Sequence, residues 1–190
     1  VVDLRNEYGA TETAGIFTAS DRFIAGSVVT VGRPLGNFRV YILDPKQQLV
    51  PLGVPGEIYV AGPQVGRAYF GRSDLTAQRF LPEPFREASG TRAFRTGDIA
   101  RWRADGTIEH LGRLDFQVQI RGMRVEPGEI ETVLAEHPAL AEAVVVGRQE
   151  AGGDMRLDAY LRPAETAVHA DEADIRAHLR RKLPDYMIPS

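Results

Sequence analysis

The hydrophobic positions of the chain follow two patterns that change near Gly112. Before it, short apolar runs alternate with polar residues and are cut repeatedly by glycine and proline. Residues 1–4, 28–31, 38–43 and 57–61 read as strands, the first as the end of a buried one. The stretches GRPLGN and DPKQQLVPLGVPG separate them. Period-two alternation between turns this dense predicts a compact antiparallel sheet or a distorted barrel. A short helix is expected over 73–80 with Ser73 as its N-cap, and the run IARWRADGTIEHLG reads as a hairpin with a two-residue Asp105-Gly106 turn.

After Gly112 the period changes. Strands are expected around 116–120 and 123–125, turned through Arg121-Gly122. A helix follows from Pro127, a first-turn proline, to about 136, with Ile130, Val133 and Leu134 on one face. Strands over 144–147 and 157–161 lead to a last helix over 171–182. In that helix Ile175, Leu179 and Leu183 recur every four residues, and Pro184 ends it. The order ββαββα predicts a small two-layer unit with its helices on one face. The fold class is therefore α+β.

Composition narrows the chemistry. The 190 residues are 43% hydrophobic and 26% charged, which excludes disordered and collagen-like classes. No apolar run approaches the roughly 20 residues of a membrane span, and residues 1–10 lack a signal-peptide plan. The absence of Cys removes thiolate chemistry and Cys-ligated metal, and a cytoplasmic setting is the default. A net charge of −3 gives no field for nucleic acid or an anionic membrane. The basic residues are 21 Arg and 2 Lys, and the four histidines (His110, His137, His169 and His178) lack metal-ligand spacing.

Four segments could carry chemistry. In Asn6-Glu7-Tyr8-Gly9-Ala10-Thr11-Glu12-Thr13, an aromatic face, a hydroxyl and a carboxylate follow a strand within a few positions. Such groups suit stacking on a base, bonding a phosphate oxygen and holding Mg²⁺. In Thr96-Gly97-Asp98, the carboxylate can accept both hydroxyls of a ribose. Gly112-Arg113-Leu114-Asp115 places a charged pair at the change of texture, as a hinge requires. The fourth, Leu183-Pro184-Asp185-Tyr186-Met187-Ile188-Pro189, is explained by packing. Each of the first three alone also reads as an ordinary turn.

Together, in this order and spacing, NEYGATET, GEIYVAGPQVGRAYFGRSDLTAQRF, FRTGDIARWRADGTIEHLGRLDFQVQIRGMRVEPGEIE and LPDYMIP resemble the adenylation domains of nonribosomal peptide synthetases, within the adenylate-forming superfamily. The resemblance covers essentially the whole chain. It implies activation of a carboxylic acid, such as an amino acid, with ATP and Mg²⁺. The acyl-adenylate is then passed to the phosphopantetheine thiol of a carrier domain, in a multidomain synthetase of secondary metabolism. Residues 1–112 would be the C-terminal part of the large subdomain, 113–116 the hinge and 117–190 the small C-terminal subdomain.

Position by position, the resemblance implies that Tyr8 stacks on adenine, with Asn6 at its amino edge and Gly9 beside it. Thr11 would contact phosphate and Glu12 would hold Mg²⁺. Asp98 would bind the ribose hydroxyls with help from Arg113, and Asp115 would be the hinge residue. Arg121, Gly122 and Arg124 would approach the active site in the thioester-forming state. Glu7, Gly15 and Ile16 would line the last part of the acyl pocket. Gln119 and Ala10 stand where Lys and Pro are common in the family. The family's phosphate loop and catalytic lysine belong to segments upstream of NEYGATET and downstream of LPDYMIP, so the 190 residues alone are expected to be inactive. An acyl-CoA or aryl-acid ligase of the same superfamily, or a non-catalytic module with this fold, are the alternatives.

Overall fold

Strand formation in the first part follows the alternation of its apolar positions, and the pairings are all antiparallel. β1 (Glu7–Ala10), β2 (Gly15–Ala19) and β3 (Arg33–Pro34) form one sheet in that order. β4 (Arg39–Leu43), β5 (Gly56–Ala61), β7 (Arg92–Trp102) and β6 (Phe80–Pro82) form a second, with β8 (Ile108–Arg113) also paired to β7. The helix α1 (Ser73–Arg79) precedes β6. This computed structural model describes residues 3–86, 90–120, 122–150, 155–165 and 171–190.

β5 explains why the sheet is stable. Its sequence GEIYVA is buried at every position, so both faces of the strand carry core. Ile58 and Val60 join Phe17, Phe38, Val40, Ile42 and Ile108 on one side. Tyr59 and Ala61 join Leu43 and Ala93 on the other. Each large side chain buried here contributes on the order of 1.5–3 kcal/mol. A third cluster, Val65, Phe80 and Phe94, packs against Tyr69 and Ala10.

The chain divides into two compact units, Val1–Asp115 and Phe116–Ser190. In the second, β9 (Val118–Ile120) and β10 (Met123–Val125) form a hairpin, and β11 (Leu140–Gln149) and β12 (Met155–Pro163) a longer ribbon. The helices α2 (Pro127–Ala135) and α3 (Glu172–Arg180) supply Ile130, Leu134, Ile175 and Leu179 to one core with Val125, Val145 and Leu157. Asp171 caps α3 by accepting from the Ala173 N–H at 3.1 Å.

Several expectations are corrected. Of residues 1–4, Asp3 and Leu4 are exposed and outside any strand, and Val1 and Val2 lie outside the described residues. The Leu4 carbonyl accepts from Phe23 in a loop contact (2.7 Å), and the first strand begins at Glu7. Residues 28–31 are likewise no strand. Val28 and Val29 face solvent, while only Val31 reaches the core, held by the Ile108 carbonyl at 2.9 Å. The N-cap of α1 is Arg72, with Ser73 as the first helical residue. The hairpin loop is three residues, Ala104-Asp105-Gly106, closed by Arg103 N–H donating to the Thr107 carbonyl at 2.9 Å. Of the histidines, His169 lies outside the described residues.

Candidate functional site

The β1–β2 hairpin and the β7–β8 hairpin bring together residues far apart in sequence. β1 enters a 3-10 turn, Thr11–Thr13, before β2 returns. The buried Thr13 hydroxyl knots this turn, lying 2.8 and 2.9 Å from the Ala10 and Gly15 carbonyls and accepting from the Ala10 N–H at 3.2 Å. Gly9 is required by close approach, since a Cβ there would lie 2.3 Å from the Gly15 carbonyl oxygen. Glu7 pairs with Ala19 at one end of the ladder, while Gly15 and Ile16 oppose Ala10 and Gly9 at the other. All three of Glu7, Gly15 and Ile16 are exposed.

Asp98 is the centre of the arrangement. It sits on β7, only 5% exposed, and its carboxylate receives three donors. The Tyr8 hydroxyl donates to Oδ2 across 90 residues of sequence. His110 Nε2 donates to Oδ1 at 3.0 Å and Arg113 Nη1 to the same oxygen at 2.8 Å. Burial opposes ionisation of Asp98, but donation from His110 and Tyr8 and the charge of Arg113 outweigh it and hold the carboxyl below its ordinary value. Burial first, then the adjacent Asp98 carboxylate, push the Tyr8 hydroxyl far above the usual phenol range, so it stays a donor. Beneath it, the Tyr8 ring meets Phe17 edge-on at 4.8 Å, which fixes its plane.

Thr96 and Gly97 shape the turn that presents Asp98. The Thr96 hydroxyl donates to the Ile58 carbonyl at 2.9 Å and accepts from the Asp98 N–H at 3.0 Å. The Gly97 N–H donates to Glu57 at 3.2 Å, and Glu57 in turn accepts both bonds from Arg95 Nε at 2.8 and 2.9 Å. Arg113 spans from this turn to Asp115. Its Nε and Nη2 reach the two Asp115 oxygens at 2.7 and 3.0 Å, and Nη2 also reaches the Thr96 carbonyl at 3.1 Å. Burial disfavours the Asp115 charge, but bonds from Arg113 and Arg79 keep its carboxyl below the ordinary value.

Glu12 stands apart from this cluster. It is 9% exposed, and its Oε1 accepts from the Tyr69 hydroxyl at 2.6 Å. Tyr69 is itself set by the Phe80 ring at 5.2 Å, and Phe80 by Phe94 at 5.3 Å. Thr11 is exposed on the same turn. Asn6 donates from Nδ2 to the Thr30 carbonyl at 2.9 Å. One buried, oriented carboxylate fits Mg²⁺ that is shared with phosphate oxygens, the usual habit of this ion. Among the described residues no group of three or more His, Asp or Glu could hold a metal unaided.

In the second unit, Gly122 lies in the turn between β9 and β10, and Arg124 on β10 stands 3.8 Å from Glu126. Arg121 lies outside the described residues. Sequence reasoning missed three participants. His110 reads as a spare histidine because nothing in its spacing reveals that the β7–β8 register sets it beside Asp98. Tyr69 and Arg79 sit in the segment GRAYFGRSDLTAQRF, whose match carries no signal about which side chains reach the site.

Comparison with known proteins puts this geometry in context. Residues 2–70 match the model of the AMP-binding enzymes and residues 129–190 that of the AMP-binding enzyme C-terminal domain, together more than half of the chain. Tyrocidine synthase 3 of Brevibacillus parabrevis is 44% identical over 100% of the chain, which covers 3% of that protein. A dimodular nonribosomal peptide synthase of Bacillus subtilis is 49% identical over 97% of the chain, which covers 8% of it. The chain thus spans a small part of the curated relatives it matches. Among solved structures, o-succinylbenzoate CoA synthetase of Bacillus subtilis superposes with a TM-score of 0.84 at 26% identity, over 99% of this chain and 36% of that one. An artificially fused adenylation–PCP di-domain from Klebsiella oxytoca gives 0.80 at 28% identity, over 100% of this chain and 35% of that one.

Proposed function

We propose, from the premise that the chain belongs to the AMP-binding enzyme family, that it forms part of a domain that activates an amino acid with ATP and transfers the acyl group to the phosphopantetheine thiol of a carrier domain. The observation that carries this reading is the convergence of Tyr8 and Arg113 on the buried Asp98 carboxylate. The Tyr8 ring, its plane fixed by Phe17, offers a face for adenine, with Asn6 at the base edge and Gly9 beside it. Asp98 accepts the ribose hydroxyls, and Arg113 holds that carboxylate in place. Thr11 donates to a phosphate oxygen.

Glu12 would hold Mg²⁺, whose charge offsets that of the phosphates. The acid's own carboxylate is the nucleophile, so these residues act by positioning and by charge placement around the α-phosphate. Glu7, Gly15 and Ile16 line one side of the acyl pocket. Asp115 serves as the hinge between subdomains, lying at the last position of the first compact unit. Arg121, Gly122 and Arg124 serve the acyl-transfer state.

The test uses the full-length protein. Amino-acid-dependent exchange of pyrophosphate into ATP should be seen for one or a few amino acids, and Asp98→Asn should raise the KM for ATP at least about tenfold, the factor that one lost charged contact makes. Exchange with no amino acid, or an Asp98→Asn variant with an unchanged KM, would count against the reading. Acylation of free CoA in preference to a carrier domain would favour the acyl-CoA ligase alternative.

A further inference from the structure

The three residues that follow Gly112 are held by backbone and side-chain bonds that reach the Gly97 turn and the end of α1. The Leu114 N–H donates to the Gly97 carbonyl at 2.8 Å. On the side-chain level, Asp115 receives Arg113 through Nε and Nη2, and it also receives Arg79 Nη2, from the end of α1, at 3.0 Å on Oδ2. Arg79 and Asp115 are each about one-quarter exposed, so the pair is neither deeply buried nor freely solvated. Solvent access at this level leaves a charged bond able to break and reform.

An independent feature marks the same spot. Gly97 has φ +81°, and a Cβ there would lie 2.7 Å from Asp115 Oδ2, 3.0 Å from Arg113 Nη2 and 3.0 Å from Arg79 Nη1. The backbone therefore passes directly beneath the place where the two guanidinium groups converge on one carboxylate. Arg113 is already divided: it also serves Asp98 and the Thr96 carbonyl. Arg79 supplies the second guanidinium, and its bond and charge help Asp115 to remain ionised while Arg113 is shared.

We propose that Arg79 is a positioning residue: it latches Asp115 in one hinge state, over the platform made by Gly97, and its release sets how readily the domain passes between its two half-reactions. This rests on the hinge role proposed for Asp115. A latch on the residue that must change its torsions raises the free energy of leaving that state without touching substrate.

In the full-length protein, Arg79→Ala should speed hydrogen exchange of the Leu114 amide about tenfold while leaving the melting temperature within a few degrees. The ratio of acyl transfer to adenylation should shift at least fivefold. Arg79→Lys, which restores one charged donor, should recover part of both effects, and Gly97→Ala, which crowds the same contact, should move the ratio in the same sense as Arg79→Ala. An unchanged Leu114 exchange rate in Arg79→Ala would overturn the latch itself. A faster amide with an unchanged ratio would overturn its role in switching, provided that Asp115→Pro still separates the half-reactions. Equal loss of both half-reactions in Asp115→Pro would overturn the hinge reading, and the switching role with it, while the exchange result still decides the latch.

Discussion

Asp98 carries a charge in a nearly solvent-free position because three donors converge on it, and removing any of them leaves that charge less well satisfied. Tyr8→Phe should therefore cost about 1.5–3 kcal/mol of stability, the usual range for a bond to a charged group, measurable by urea unfolding. The opposite sign is expected at Thr18. Its side chain is fully buried on β2, and among the described residues its hydroxyl has no hydrogen-bond partner. Thr18→Val keeps the shape and removes the orphan group, so it should raise stability by about 1 kcal/mol. Neither outcome follows from residue type. Tyr8 stands among the candidate residues because the NEYGATET segment carries it, whereas the orphan at Thr18 depends on what the fold sets around it.

At the scale of elements, the starts of α1 and α3 differ in a way that the sequence alone blurs. Ser73 reads as a cap, yet α1 begins beyond Arg72 with no side-chain cap, whereas Asp171, which the sequence places inside the last helix, caps it by accepting a backbone bond. Arg72 is occupied instead with Asp74, at 3.0 and 2.8 Å. Asp171→Ala should cost about 1 kcal/mol, and Ser73→Ala should stay within about 0.5 kcal/mol, both by denaturant titration. The strands show a similar divide. GEIYVA declares itself because its last four residues form an unbroken apolar run, as a strand buried on both faces needs. Residues 28–31 are as apolar, but they meet the core only at Val31, and pairing partners cannot be read from composition.

At the scale of the molecule, the second sheet has strand order β4-β5-β7-β6, so β4 and β6 lie at opposite ends. Even so, Glu83, just past β6, accepts two bonds from Arg39 and one from Tyr41 on β4 (2.5, 2.8 and 2.7 Å), so side chains tie the two edge strands together across the sheet. Donation from Arg39, ahead of that from Tyr41, outweighs burial and holds the Glu83 carboxyl at about 2, below its ordinary 4.5. The unfolded chain then binds the extra proton between these values. The stabilisation is thus complete above the ordinary value and is lost as pH falls from about 4.5 towards 2. Acid titration of the melting temperature should show that loss, and Glu83→Gln should be less stable at neutral pH with a shallower fall. By itself the sequence determined the family resemblance, the α+β class and the candidate residues in NEYGATET, TGD and GRLD, because those depend on local order and spacing. Only the tertiary structure decided that His110 joins Asp98, that Tyr69 orients Glu12, and that Arg79 reaches Asp115. Those contacts join side chains 12, 57 and 36 residues apart, and they exist only once strand register and packing have set the distances.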